Sequence, residues 1–327
     1  MSNTDNWMIN AVLLDGQGSA KILNETQIQK WKSQDGTLWI HLNLSHPKAI
    51  SFIQKDKHID KWTKETLINT LNSRPRSLIH KNGLLLVIRT VNLTPRSEPD
   101  DMVFLRVFAT KERIITVRVH PAISFKEIIN DFHEHNGPKN TNELIEMILE
   151  NTLDSTANTV ADMEEYLDDI EEKIIAHQTS SALYEELSEL MRRLVIIHRF
   201  LTPEREAFDM LSRHQLPWFN KTITHLTKDC FHRMQRIIED IILLKERVRI
   251  NQEALNQHDI KQSQKNMYML SVIATIFLPL SFLAGLFGMN VGGIPFSESP
   301  YGLAVTVTFI GGIGGLLAYL FKRAHWL

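Results

Sequence analysis

A chain of 327 residues with 36 Lys and Arg against 38 Asp and Glu carries a formal charge of −2, which excludes the basic excess of a nucleic-acid-binding protein. Its single cysteine, Cys230, excludes an intramolecular disulfide and fits a reducing compartment. Residues 1–10 hold no apolar run of the kind a cleavable signal peptide needs.

The first third alternates strand and helix signals. Met8 to Leu14 and Thr37 to Leu42 are rich in apolar and β-branched residues and read as strands. Asp60 to Leu71 reads as a helix entered at Asp60 or Thr63. Asn82-Gly83 between Ser77–His80 and Leu84–Val91 signals a hairpin. Met102–Ala109 and Ile114–Val119 flank Lys111-Glu112-Arg113 as a second pair, and Ile123 to Glu134 reads as a helix. Residues 1–136 are therefore expected to form an α+β or α/β domain.

Glycine then vanishes between Gly137 and Gly285, over a stretch dense in Glu, Leu, Ile and Lys that favours long helices. The first, capped by Asn142 or Thr141, runs toward His177, and the second runs from the Thr179-Ser180-Ser181 turn to about Arg213. Leu216-Pro217-Trp218 breaks the pattern. From Thr222 a third helix keeps an apolar seam of Cys230, Met234, Ile237, Ile241, Leu244, Val248 and Leu255, interrupted by the polar Asn251. No glycine or proline stops it before Pro279, so Thr222 to Met289 is expected to be nearly continuous, about 100 Å long. A seam on so long a helix is expected to need partner subunits. Residues 137–266 thus read as a long-helix region and stalk.

Two apolar runs close the chain, residues 267–289 and 301–321. At about 1.5 Å per residue each spans a bilayer core of about 30 Å. Lys261 and Lys265 precede the first, Lys322 and Arg323 follow the second, and residues 290–300 contain neither Lys nor Arg. The positive-inside rule then places both ends in the cytoplasm and the short loop outside. Neither span contains Asp, Glu, His, Lys, Arg or Cys. Imidazole or thiolate zinc ligands and an intramembrane proton relay are therefore both missing at membrane depth. A path there offers amide, hydroxyl and carbonyl oxygens, suited to a hydrated cation.

Gly288-Met289-Asn290 ends the first span. A large soluble body, a terminal membrane hairpin and this tripeptide at its outer turn resemble the CorA family of divalent metal-ion transporters. Val291-Gly292-Gly293-Ile294-Pro295 resembles the ZntB zinc-transporter branch, as do Leu14-Asp15-Gly16, Trp39-Ile40-His41-Leu42-Asn43, Arg74-Pro75-Arg76, Leu216-Pro217-Trp218 and Trp326-Leu327. The resemblance implies a funnel-shaped homopentamer in a bacterial inner membrane. It also implies a pore along the first span and zinc as the transported substrate, with no cofactor.

Counting back from the tripeptide at 3-4 spacing gives one face: Gly285, Ser281, Leu278, Ala274, Ser271 (or Leu270), Met267 and Gln264. The resemblance makes this face the pore lining and Asn290 a ring of amides holding the metal's water shell. Leu278 and Met267 would then be apolar constrictions that gate by dewetting. Glu298, the only charge in the outer loop, either raises local cation concentration or merely solubilises the loop. Gly311 and Gly315, with Gly312 and Gly314, allow close helix approach in the second span.

Two clusters in the soluble part carry metal-ligand chemistry. Asp131, His133, Glu134 and His135 stand together before Gly137, where a solvated helix end is the plainer reading. Asp229 and His232 share a helix face beside Cys230, but Cys230 also fits the apolar seam. The acidic runs Glu164-Glu165 to Glu171-Glu172 and Glu185-Glu186 read as solvated faces. No P-loop, GxGxxG or paired catalytic carboxylate motif is present, so no enzymatic activity is expected. The alternatives to a zinc transporter are a magnesium, cobalt or nickel carrier of the same architecture, and a membrane-anchored signalling or scaffold protein.

Overall fold

The computed structural model describes residues 6–69, 74–92, 102–120, 126–176, 180–289 and 300–323. They fall into two compact units, Met1–Gln252 and Glu253–Leu327.

The first unit is built on a seven-stranded sheet of β1 (Met8–Leu14), β2 (Ala20–Ile22), β3 (Leu38–Asn43), β4 (Arg76–His80), β5 (Gly83–Val91), β6 (Met102–Ala109) and β7 (Arg113–Arg118). Their order across the sheet is β2-β1-β3-β7-β6-β5-β4, antiparallel except where β3 and β7 run parallel. Four short helices lie between strands or follow them: α1 (Glu25–Lys30), α2 (Pro47–Lys55), α3 (Lys61–Ile68) and α4 (Lys126–His133). Strands and helices mix around one sheet, which fits the α+β expectation. Leu38, Ile40 and Leu42 alternate onto the face that packs with Ile28, Ala49, Ile53 and Leu67 of the small helices.

Local chemistry explains the turns. The β4–β5 hairpin turns on Lys81 (φ 48°) and Asn82 (φ 61°), the doubly left-handed pair that matches strand twist. Gly83 follows because a Cβ there would lie 2.7 Å from the Phe108 ring. Asp15 accepts the Gln17 and Ser19 N–H groups at 2.7 and 3.0 Å, closing the β1–β2 turn, so the Leu14-Asp15-Gly16 block is a turn device. Trp218 Nε1–H donates to the Asn82 carbonyl at 2.8 Å and the Trp218 carbonyl accepts from Asn142 Nδ2 at 3.0 Å. The Leu216-Pro217-Trp218 break therefore ties the hairpin to the helices.

The short elements β2, α1 and α2 had no counterpart among the expected elements. Their signals were present: Asn24 and Gln27 form a reciprocal capping box, and Pro47 follows the His46 cap. The expected helix from Asp60 is capped by that residue and ends at Ile68, while residues 70–73 and 121–125 lie outside the described residues.

Three long helices follow: α5 (Thr141–Ile175), α6 (Ser181–Arg213) and α7 (Lys221–Phe287). The α5 cap is Asn140, one residue before the expected pair, because its side chain accepts the Asn142 and Glu143 N–H groups. The seam on α7 corrects an expectation. Cys230, Met234, Ile241 and Val248 are each 0% exposed within the single chain, and Leu255 is 1% exposed. Charged contacts between α7 and α5 show which helix lies beside the seam: Arg233 pairs with Asp154, and Arg247 reaches Glu164, Asp168 and Glu171. The seam finds its cover in its own chain, so it gives no argument for oligomerisation. The acidic α5 face is solvated as expected at Glu164, Glu165, Asp168 and Glu172, which are exposed, with Glu171 half-buried, and part of it also answers Arg247. Its acids at 164, 168 and 171 recur at one-turn spacing opposite Arg247, a signal that sequence periodicity could have supplied.

One buried charge in this unit has a measurable consequence. Glu204 of α6 is 0% exposed, its Oε1 accepts the Arg89 N–H at 3.1 Å and its Oε2 has no hydrogen-bond partner among the described residues. Arg89 itself is held between the Phe104 and Phe200 rings, 4.1 and 3.8 Å from their centroids. Burial pushes the Glu204 carboxyl up to about 8, against the opposing pull of Arg89. A carboxyl raised on folding stabilises the fold fully below its unfolded value of 4.5, and that contribution is lost as pH rises toward 8. Full-length protein in detergent is therefore expected to lose stability between about pH 5 and pH 8, by roughly 1.4 kcal/mol per pH unit from this group. Glu204→Gln should flatten the slope of thermal or denaturant unfolding against pH. A slope unchanged by that substitution would show that another group sets it.

The second unit contains the rest of α7 and α8 (Gly302–Arg323). Each helix includes a stretch long and apolar enough to cross a membrane, of which 6% and 0% respectively is buried.

Candidate functional site

An apolar helix that meets lipid on all sides needs no pattern. The membrane stretch of α7 has one. Val272 is buried, and Ile276, Pro279, Leu280, Leu283 and Phe287 are partly covered. At about 100° per residue these fall within one sector of the helix. This sector packs on α8: Phe287 meets Phe309 edge-on at 6.4 Å between centroids, and a Cβ on Gly314 would lie 3.2 Å from Leu280 Cδ1. Gly314 is thus the point of close approach. The Gly311–Gly315 pair is not, since a Cβ on either would meet nothing within 4 Å in this chain.

The opposite sector carries Met267, Ser271, Ala274, Leu278, Ser281 and Gly285. All are exposed, Met267 and Leu278 to 64% and 74%, and a Cβ on Gly285 would meet nothing within 4 Å. Gln264, further back, is exposed too, as is the alternative Leu270 at 69%. So α8 covers one side of α7 and leaves uncovered the side that spacing from the tripeptide selects. Gly288 still belongs to the helical ladder, donating to the Ala284 carbonyl at 2.9 Å, and Met289 closes it with a longer bond of 3.4 Å to Leu286. Asn290, Val291 to Pro295, Glu298 and Trp326-Leu327 lie outside the described residues.

The chemistry of the free face is neutral. Its polar groups are the Ser271 and Ser281 hydroxyls, with no Asp, Glu, His, Lys, Arg or Cys from residue 267 to residue 289. Such a surface cannot strip and hold a divalent cation by charge, but it can pass one that keeps water. The carbonyl of Ser271 is also engaged, accepting the Thr275 hydroxyl at 2.8 Å.

The soluble clusters do not assemble into a metal centre: among the described residues no group of three or more His, Cys, Asp or Glu is placed to hold an ion. His133 ends α4, while His135 sits beyond it with φ 60° and its Nδ1 against the Ser19 hydroxyl. The Asp131 carbonyl accepts the Asn136 N–H at 2.8 Å in that turn, so the segment is a helix end tied to the β1–β2 loop. Asp229 and His232 are exposed, whereas Cys230 points into the seam and burial pushes its thiol up to about 12, leaving it protonated. Helical geometry separates Cys230 from Asp229 and His232, because i, i+1 and i, i+2 side chains do not face each other.

The comparisons with known proteins agree with this architecture. The divalent cation transporter CmaX of Pseudomonas aeruginosa is 30% identical over 100% of this chain and 98% of its own length. The zinc transport protein ZntB of Pectobacterium carotovorum is 27% identical over 98% of this chain and 96% of its own. Among solved structures, full-length CmaX superposes with a TM-score of 0.84, covering 99% of this chain and 100% of that one. The CorA magnesium transporter of Methanocaldococcus jannaschii reaches 0.80 at 18% identity, over 97% of this chain and 99% of that one, a likeness of fold. The family model described as CorA-like Mg2+ transporter protein matches residues 34–323, and the chain belongs to that family.

Proposed function

We propose that this protein transports divalent cations, zinc foremost, through a homopentameric pore lined by the free face of α7, with Gly288-Met289-Asn290 at its outer mouth. The observation that carries the reading is the division of α7. One sector packs on α8, and the opposite sector, in phase with the tripeptide, is uncovered and neutral. Assembly of several copies around that sector would make a continuous path of hydroxyl and amide groups with apolar constrictions at Met267 and Leu278. Both chain ends would lie in the cytoplasm of a bacterial cell, with Glu298 outside near the entrance.

Zinc is favoured by the loop after Asn290 and by likeness to ZntB; likeness to CmaX and to the CorA magnesium transporter favours a broader or different preference. Uptake driven with protons is the direction we favour. No carboxyl, imidazole, thiol or basic side chain lies in either span, so any proton coupling acts through Glu298, soluble-domain groups or the metal-bound water.

The deciding experiment reconstitutes the protein in liposomes and follows zinc, magnesium, cobalt and nickel entry with pH and voltage set separately. Zinc entry above that of empty vesicles supports the reading, and a pH-gradient dependence at clamped voltage adds proton coupling. Entry of the other ions with zinc excluded would replace zinc. Absence of flux for every metal, in vesicles holding intact oligomers, would favour the anchored-scaffold alternative.

A further inference from the structure

Away from the membrane spans, the soluble unit has a cleft of about 520 Å3 between α1, α2 and the start of β7, within the size range of small-molecule sites. At its floor Arg113, 7% exposed, pairs with the Asp56 carboxylate, whose side chain is 6% exposed. That pair uses Nη2 of Arg113; its Nε and Nη1 are buried with no hydrogen-bond partner among the described residues, and the guanidinium lies over the Trp31 ring, 5.8 Å from its centroid. Buried guanidinium N–H groups left unanswered are costly and mark a place where an acceptor is missing.

The walls supply charge and flat surface. Lys48 is neutralised by Glu25 at 2.8 Å and lies over the Trp7 ring, but Lys55 and Lys57 line the cleft with no ion pair among the described residues. Counting cations Lys48, Lys55, Lys57 and Arg113 against Glu25 and Asp56 leaves two positive charges in excess. Trp31 and His58 meet edge-on at 6.2 Å and, with Phe52, form aromatic walls. An excess of two cations matches a phosphate dianion better than a single carboxylate, and aromatic walls suit a planar ring.

We propose that this cleft binds a nucleoside phosphate, its phosphate held by Lys55 and Lys57 above the buried Arg113 guanidinium and its base laid against Trp31 and Phe52. The site lies far along the chain from the spans and uses none of the residues assigned to the pore. A bound nucleotide would therefore act as a ligand of the soluble unit and not as cargo.

The test is calorimetric titration of the full-length protein in detergent with adenosine monophosphate, adenosine and inorganic phosphate as separate probes. The expected result is saturable binding of adenosine monophosphate at up to millimolar concentrations, weaker binding of the other two probes, and loss of affinity with added salt. Both lysines are exposed, so the double variant Lys55→Ala, Lys57→Ala should fold, and it should weaken binding by about tenfold or more. Trp31→Leu should weaken adenosine monophosphate while leaving inorganic phosphate unchanged. No binding of the nucleotide overturns the proposal, and so does binding unaffected by the double lysine variant. Equal binding of phosphate and nucleotide would reduce the cleft to a bare anion site and overturn the assignment of the base.

Discussion

Replacing Asn290 by Ala is expected to lower zinc flux by well over tenfold while leaving the oligomer intact. The reasoning starts from what the spans lack. With no Asp, Glu, His, Lys, Arg or Cys between residues 267 and 289 or between 301 and 321, oriented dipoles must compensate the charge of a passing divalent ion. The carboxamide of Asn290 offers one acceptor oxygen and two donor hydrogens, enough to hold metal-bound waters without stripping them. Losing about 1–2 kcal/mol of such contact from each subunit accumulates around a ring, and each 1.4 kcal/mol is a factor of about ten. Assembly should survive, because a short polar side chain contributes little packing. Asn290→Asp should bind cations more tightly yet conduct poorly, since an ion must leave as well as enter. Flux is read in liposomes and oligomeric state by size exclusion. Wild-type flux in a correctly assembled Asn290→Ala protein would remove the tripeptide from the pore mouth.

Much of the fold was legible because its signals are local. Asn82-Gly83 signalled the hairpin, which forms, but the left-handed pair lies one residue earlier, with φ of 48° and 61° at Lys81 and Asn82, and Gly83 opens β5. The glycine-free stretch from 138 to 284 became three long helices, with Leu216-Pro217-Trp218 in the break between the second and third. Elements of three to nine residues such as β2, α1 and α2 escaped because short runs leave too few periods to count, although their caps were readable.

The partner of an apolar seam was not legible at all. The 4-3 pattern from Cys230 to Leu255 states that one face of α7 is buried, but a pattern on one helix carries no address for what buries it. The structure supplies that address within the chain, through Arg233 and Arg247 on α7 and the acids of α5. Ligand-rich tracts such as Asp131 to His135 mislead for a related reason: residue types adjacent in sequence diverge in space, and a metal needs convergence. For the spans the situation reverses. Counting in threes and fours from Gly288 selected a face, and α8 packs on the other one.

That two-sided arrangement makes Leu278 the sharpest test of the pore within the described residues. Leu278→Ser is expected to raise basal ion leak by about tenfold, without weakening the helical hairpin. Leu278 is 74% exposed in the single chain and lies opposite the sector held by α8, so its side chain contributes nothing to that packing. Around a central axis the same leucines would converge between turns carrying only Ala274 and Ser281, forming the widest apolar obstacle on the face. Water leaves such a constriction, and a hydrated ion then meets a barrier. A leucine side chain differs from a polar one by about 1.5–3 kcal/mol of transfer free energy, enough for roughly ten- to hundredfold in rate if one ring sets the barrier. Leu278→Ile keeps the ring apolar and should stay tight. Leu280→Ser provides the opposite control: it removes a contact with Gly314 on the α8 side, so it should lower thermal stability and leave basal leak at the wild-type level. Leak through vesicles, read with a metal-sensitive dye at equal oligomer content, separates the three variants. Equal leak from Leu278→Ser and wild type, or greater leak from Leu280→Ser than from Leu278→Ser, would mean that the uncovered face of α7 does not line the path.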